Sequence, residues 1–407
     1  MLKKTGLWRG LTLIFAFMLA VSMVGGSILE MYRTSVDAFF NTRSQVVVTT
    51  KGADGEDAWN YVSNYKTAKD AFEGLKEFAI RESQETVALL KNEAQALPIA
   101  KDAKITLLGV RSYAPVYGSS GGSITDGNAT VPITKCFQER GFQLNPSTLA
   151  AYEKYFSDKN WTKPRFGGGI IPEYAEITSY NNPHEFTMDE VLALNADFRK
   201  DYADYADAAI VVVGRLGSEG GAYYPGAAGL EDGVHTQTGN ILGLSDNEVA
   251  LIEEAKANFE KVIVLINAVN PMEIGSLKND PGIDAVVWIG FPGAYGFYGV
   301  ADVLNGTVAP SAHLGDTMAA NTAVDPAMQS AGNIPWANAA DFASDQNVNS
   351  YLIEAEGIYT GYRYYETRYA DIVLGNGGAN ASAGTYAAAD GTIAAADGVW
   401  NYSDQVV

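Results

Sequence analysis

The sequence is short of several residue types, and each shortage removes a class of chemistry. Its 407 residues include one cysteine, Cys136, so no intrachain disulfide framework and no cysteine-based metal site can be built. Cys136 lies in Ile133-Thr-Lys-Cys-Phe, before the helical-looking Gln138-Glu-Arg, and reads as a buried structural thiol rather than a nucleophile. Only three histidines occur, His184, His235 and His313, and their spacing suits no metal. Basic residues are outnumbered by acidic ones, 28 against 48, for a net charge of −20. That field argues against nucleic acid or an anionic membrane surface as the main partner and suits a neutral or cationic ligand.

Long apolar runs are also scarce, with one exception. After Lys3, Lys4 and Arg9 comes an uncharged stretch from Gly10 to Leu29. In a helix, about 20 such residues span the roughly 30 Å of a bilayer's hydrocarbon core. The basic flank should stay cytoplasmic, which makes residues 1–30 a single-pass membrane anchor with the rest of the chain exported. A cleaved signal peptide, with Ala20-Val-Ser22 at the cleavage site and a secreted product, is the rival reading.

What is present beyond the anchor is an ordinary globular composition, 47% hydrophobic. Residues 31–80 read as a helical stalk and linker, and Arg81–Lys91 as a helix. From there, apolar strands alternate with helices. Lys104–Gly109, Ala208–Val213, Lys261–Ile266 and Ile283–Ile289 read as strands, and Gly299–Leu304 as a helix ending near Asn305-Gly306. Ser245-Asp-Asn-Glu248 is a capping box for the helix that begins at Val249. Continuous apolar strands between helices mean a parallel sheet covered on both faces, placed at 81–330. The tail from 331 to 407 differs: Ala379–Ala396 is rich in Ala, Gly and Asp, and Asp404–Val407 looks like the start of a strand in a truncated chain.

Ligands of open parallel sheets bind beyond the carboxyl ends of the strands. Four loops are expected there: Tyr117-Gly-Ser-Ser-Gly-Gly-Ser123, the segment after Arg215, Asn267-Ala-Val-Asn270-Pro271 and Gly290-Phe-Pro-Gly293. The glycine loop at 118–123 lacks a Walker lysine or a complete dinucleotide fingerprint, so a nucleotide cofactor is not expected. Glu219 is the single acid of a glycine-rich loop. It reads either as a solvated loop residue or as a general acid whose carboxyl can swing over a bond. Arg215, four residues earlier, could pair with it.

Several stretches then resemble one family, the family 3 glycoside hydrolases. Glu85-Thr-Val-Ala-Leu-Leu-Lys-Asn-Glu-Ala-Gln-Ala-Leu-Pro98 is similar to the E-x-x-V-L-L-K-N-E-x-x-x-L-P opening of their second domain. Arg215-Leu-Gly-Ser-Glu-Gly220 resembles their R-x-S-G-E-G loop, and Leu244–Ile252 their L-S-x-x-E-x-x-L-I helix start. Gly306–Thr317 and Glu356–Thr367 resemble G-x-x-x-P-S-G-R-L-x-x-T and E-G-I-Y-V-G-Y-R-Y-Y-x-T. The departures are Gly221-Ala-Tyr-Tyr, where relatives carry an Asp-Arg pair, His313 for arginine and Ala312 for glycine.

The resemblance implies a six-stranded α/β/α sandwich, followed by a small fibronectin-III-like β-sandwich that starts around the aromatics Tyr359, Tyr362, Tyr364 and Tyr365. It implies an exo-acting retaining β-glycosidase of the β-glucosidase type, cutting terminal β-linked sugars from oligosaccharides without cofactor or metal. Glu219 takes the acid/base position, while Asp316, Glu356 and Glu366 are structural pairing or capping residues. The nucleophile would be an aspartate of a β/α barrel; its Ser-Asp-Trp motif does not occur in residues 1–407, so this fragment is expected to be inactive alone. Two other readings stay open: a non-catalytic carbohydrate-binding or scaffolding protein, and a nucleotide-binding α/β protein.

Overall fold

The structure is a computed structural model. It describes residues 2–32, 64–118, 130–157, 162–164, 170–172, 185–215, 242–322 and 325–329, with shorter pieces from 334 to 372. The chain divides into two units, Met1–Ala68 and Lys69–Val407.

In the first unit, helix α1 runs over Leu2–Met31. Its segment Trp8–Met31, with a mean hydropathy of 2.2, is long and apolar enough to cross a membrane. A signal sequence near the N-terminus meets the same measure of length and composition.

The second unit is an α/β domain built on a six-stranded sheet. Its strands are β1 (Ala88–Asn92), β2 (Lys104–Leu108), β3 (Gln143–Leu144), β6 (Ala208–Gly214), β7 (Val262–Asn267) and β8 (Ala285–Trp288), in the spatial order β1-β8-β7-β6-β2-β3. All neighbours are parallel except β1, which runs antiparallel along the edge of β8. Two short strands, β4 (Thr162–Pro164) and β5 (Ile170–Pro172), pair with each other apart from this sheet.

Alternation along the central strands feeds two apolar layers, because successive side chains of a strand point to opposite faces. Ile210, Val212, Ile263, Leu265 and Val287 pack with α3 (Ile133–Glu139) and α7 (Phe297–Leu304). Val211, Val213, Val264, Ile266 and Val286 pack with α4 (Pro146–Ser157), α5 (Met188–Leu194) and α6 (Asp246–Asn258). Burying each such side chain is worth roughly 1.5–3 kcal/mol, which is why these strands read as unbroken apolar runs. Cys136 lies fully inside the first layer on α3, and burial pushes its thiol up to about 12.

Two expectations are corrected. Arg81–Lys91 is not one helix: α2 (Ala68–Thr86) ends at Thr86, and Ala88–Asn92 is strand β1. The Ala-Leu-Leu-Lys stretch suits a helix locally, but pairing with β8 and burial of Val87 and Ala88 decide the matter. The expected boundary at 81 therefore falls inside α2, which is held to the domain by Gln84 Nε2 donating to Asp302 Oδ2 at 2.8 Å.

The second correction concerns the aromatics near 360. Tyr362–Ile372 is a helix rather than the first strand of a β-sandwich. Tyr364, Tyr365 and Arg368 are its buried positions, with Arg368 three and four residues after the two tyrosines and so on the same helical face, and Tyr365 reaches Asp325. Beside it the described residues hold only a short pair, Ile334–Pro335 with Ser350–Tyr351. The Ala-rich stretch 379–396, Asp404–Val407 and most of the stalk lie outside the described residues.

Candidate functional site

The strand order places a reversal between β2 and β6. From β2 the chain moves outward to β3; it then returns to the other side of β2 to lay down β6, β7 and β8. Loops leaving two such strands diverge and open a crevice at their carboxyl ends. Both exits carry glycine for a steric reason. A Cβ on Gly109, which has φ +96°, would sit 2.9 Å from the Val212 carbonyl oxygen. One on Gly214 would sit 2.7 Å from that of Asn267.

Three groups of side chains hold the loops at this edge. Asn267, fully buried at the end of β7, donates through Nδ2 to the carbonyls of Val116 at 2.9 Å and Gly290 at 2.7 Å. Its Oδ1 accepts from Val116 N at 2.6 Å. One amide thus ties the loops after β2, β7 and β8 together. Gly293 N donates to Tyr117 O at 2.8 Å, closing the same group.

The second group is an ion pair. Arg215, at the exit of β6, is almost fully buried and meets Glu248 of α6 in a two-pronged contact, Nη1 to Oε1 at 2.7 Å and Nη2 to Oε2 at 2.8 Å. The guanidinium also donates to the carbonyls of Gly214 at 2.9 Å and Gly243 at 2.6 Å. Glu248 closes the expected capping box as well: its Oε2 accepts from Ser245 N at 2.8 Å, and Ser245 Oγ accepts from Glu248 N at 3.2 Å.

The third group centres on Glu185, which sequence reading missed. Its Oε2 accepts from Val110 N at 2.9 Å, and its Oε1 from Phe186 N at 3.0 Å. Burial pushes this carboxyl up to about 8, against the pull of those two amides and of Arg111; the charge of Glu248 adds to the rise. Asn247 Nδ2 donates to the Glu185 carbonyl at 2.8 Å, linking the start of α6 to the exit of β2. Tyr152 OH accepts from Gly109 N at 2.9 Å beside them. The signal for Glu185 was absent because its partners are backbone amides, one of the next residue and one 75 residues away in sequence.

Of the residues singled out from sequence, the structure brings Arg215, Asn267 and Gly290 to one edge. Glu219, the glycines of 119–123, His184 and His235 lie outside the described residues. His313 is exposed. Asp316 Oδ1 accepts from Thr317 N at 2.8 Å, a local capping role. Among the described residues, no three His, Cys, Asp or Glu side chains come together to hold a metal ion.

A six-stranded sheet between helical layers, with its loops gathered at a strand-order reversal, is the framework of a ligand-facing α/β sandwich domain. The profile described as "Glycosyl hydrolase family 3 C-terminal domain" matches residues 87–362, and the chain belongs to that family. It is 27% identical over 296 residues to Beta-glucosidase A of Butyrivibrio fibrisolvens, a match covering 70% of this chain and 31% of that protein. It is 36% identical over 244 residues to Beta-glucosidase cel3A of Pyricularia oryzae, covering 59% and 29%. Among solved structures, that of β-glucosidase 3B from Thermotoga neapolitana in complex with glucose aligns with a TM-score of 0.54 at 26% identity, covering 73% of this chain and 37% of that one. The chain thus spans well under half the length of the curated relatives it matches.

Proposed function

We propose that this chain is the acid/base-bearing part of a retaining exo-β-glycosidase of the β-glucosidase type, with Glu219 as the proton donor. The observation that carries the reading is the place of Arg215-Leu-Gly-Ser-Glu-Gly220. The motif begins at the carboxyl end of β6, beside the strand-order reversal, within the matched family domain. The naming of its relatives as β-glucosidases supports the substrate class.

In this reaction one carboxylate attacks the anomeric carbon, forming a glycosyl ester. The acid protonates the departing oxygen, then takes a proton from the water that hydrolyses the ester. The two carboxyls stand about 5–5.5 Å apart in retaining enzymes. Glu219 supplies the acid, and the attacking carboxylate comes from a β/α barrel outside residues 1–407. Helix α1 then anchors the domain to the membrane or directs its export.

The test compares leaving groups in the protein that joins this chain to its barrel. Glu219→Gln should slow cellobiose, whose leaving alcohol needs a proton, by about 10²–10⁴. It should slow glycosylation from nitrophenyl β-glucoside far less. Equal slowing of both rejects the acid role, and robust turnover by residues 30–407 alone rejects the missing nucleophile.

A further inference from the structure

We propose that Glu185 is a proton-operated latch at the carboxyl edge of the sheet: neutral, it holds the exit of β2 to the start of α6, and ionised, it lets the two part. The latch is independent of the acid role given to Glu219.

Glu185 stands between two elements and bonds to both. Its side chain accepts from Val110 N, just past the end of β2, at 2.9 Å. Its main-chain carbonyl accepts from Asn247 Nδ2, in the first turn of α6, at 2.8 Å. A third bond, from Phe186 N to Oε1 at 3.0 Å, fixes the orientation of the carboxyl. The group is pressed onto backbone, since a Cβ on Gly109 would meet Oε2 at 3.1 Å. Glu185 is 4% exposed, so no hydration shell fits while these contacts stand.

The surroundings disfavour a charge there. From α6, the Glu248 carboxylate repels one, although Arg215 holds Glu248 itself in a two-pronged contact. From α4, Tyr152 offers a neutral phenol, whose own ionisation is pushed well up by burial and then by Glu185. From the turn after β2, Arg111 pulls the other way, as do the two amides, but burial outweighs them. Among the described residues, no lysine, arginine or histidine forms an ion pair with the Glu185 carboxyl.

Ionisation and opening are therefore one event. Closed, the carboxyl titrates at about 8; hydrated, it returns toward its ordinary value of 4.5. The opened form holds fewer protons between those values. Opening is thus favoured as pH rises through them, by about tenfold per pH unit, and is insensitive to pH outside them. A local opening suffices, because Val110 lies beyond Leu108, the last residue of β2 paired with β6. An uncharged residue would hold the two elements at every pH; a carboxyl holds them only while protonated.

Amide hydrogen exchange tests the latch in the full chain, carried in lipid nanodiscs, from about pH 5.5 to about pH 8.5. Protection factors, corrected for the intrinsic pH dependence of exchange, are read at Val110 N and Phe186 N, with Val264 N in the middle of β7 as reference. Val110 and Phe186 should exchange at least about tenfold faster than Val264. Their protection should fall by about tenfold per pH unit up to the closed-state value. Glu185→Gln should remove that slope. Asn247→Ala, which cuts the tie to α6 and keeps the titrating group, should lower protection at Val110 and retain the slope.

Protection at Val110 that is the same at every pH overturns the latch. So does exchange there no faster than at Val264, or a slope that persists in Glu185→Gln. If Glu185→Gln fails to fold, the slopes of the parent and of Asn247→Ala decide. No substrate enters the measurement, so its outcome and that of the glycosidase assay are separate.

Discussion

The two edges of the parallel sheet face the same structural problem and solve it differently. At the amino edge, strands are tied by surface acids. Asp207, exposed just before β6, accepts from Lys104 N, the first residue of β2, at 2.7 Å. Asp284, half-buried just before β8, accepts from Val262 N, the first residue of β7, at 2.8 Å. At the carboxyl edge the ties are Asn267, Glu185 and the Arg215–Glu248 pair, all buried. Strand starts can be satisfied by an acid that stays in water. An edge that withdraws charges from water is specifying where its loops go, since stability alone does not require it. On the function proposed above, the side of the sheet that faces the ligand is thus distinguished from the other by how its polar groups are buried.

The sharpest way to break this contrast is Arg215→Met. It leaves Glu248 charged inside the fold and strips a donor from the Gly214 and Gly243 carbonyls. The expected loss is about 3–5 kcal/mol in urea unfolding. Arg215→Met with Glu248→Met should recover much of that stability, because no isolated charge remains. If the double variant is as unstable as the single, the pair is there for stability and the contrast between the edges is wrong.

Glu185 gives the next largest effect, and its sign is fixed. Its carboxyl titrates at about 8 in the fold, above its ordinary value near 4.5, because burial disfavours the charge. Between those two values the folded chain holds a proton that the unfolded chain has released. Stability therefore falls as pH rises from about 4.5 to about 8, and this contribution is flat outside that window. The drop is on the order of a few kcal/mol. Glu185→Gln should flatten the pH dependence of the urea-unfolding free energy across the window, while lowering that free energy overall by about 1 kcal/mol through the weakened bonds to Val110 and Phe186. An unchanged slope would assign the pH dependence to other groups.

Legibility in the sequence follows the same division. The central strands were readable because burial on both faces leaves an unmistakable apolar run, as in Ala208–Gly214 and Val262–Asn267. The capping box was readable because its two partners are three residues apart. Strand β1 was not, since Ala-Leu-Leu-Lys fits either period and only the partner strand β8 chooses. The carboxyl edge was only half legible. The glycines and Asn267 marked it, and the i+4 spacing left a pairing of Arg215 with Glu219 open. The structure shows its two-pronged bond to Glu248, 33 residues on. A signal did exist: an arginine directly after a seven-residue buried strand must find an acid, and Glu248 is the acid of a helix start. Glu185 had no such signal, because backbone amides leave no mark on the sequence.

The smallest effect belongs to the amino edge, and it tests the other half of the contrast. Asp207→Ala removes one acceptor from Lys104 N while leaving that amide at an exposed strand start, where water can replace the lost oxygen. The cost should be about 0.5–1.5 kcal/mol, the usual net worth of one hydrogen bond. A loss comparable to that of Arg215→Met would mean that the sheet transmits strain from one edge to the other. The carboxyl edge would then be one end of a single mechanical unit, and buried charge there would no longer mark where the chemistry is.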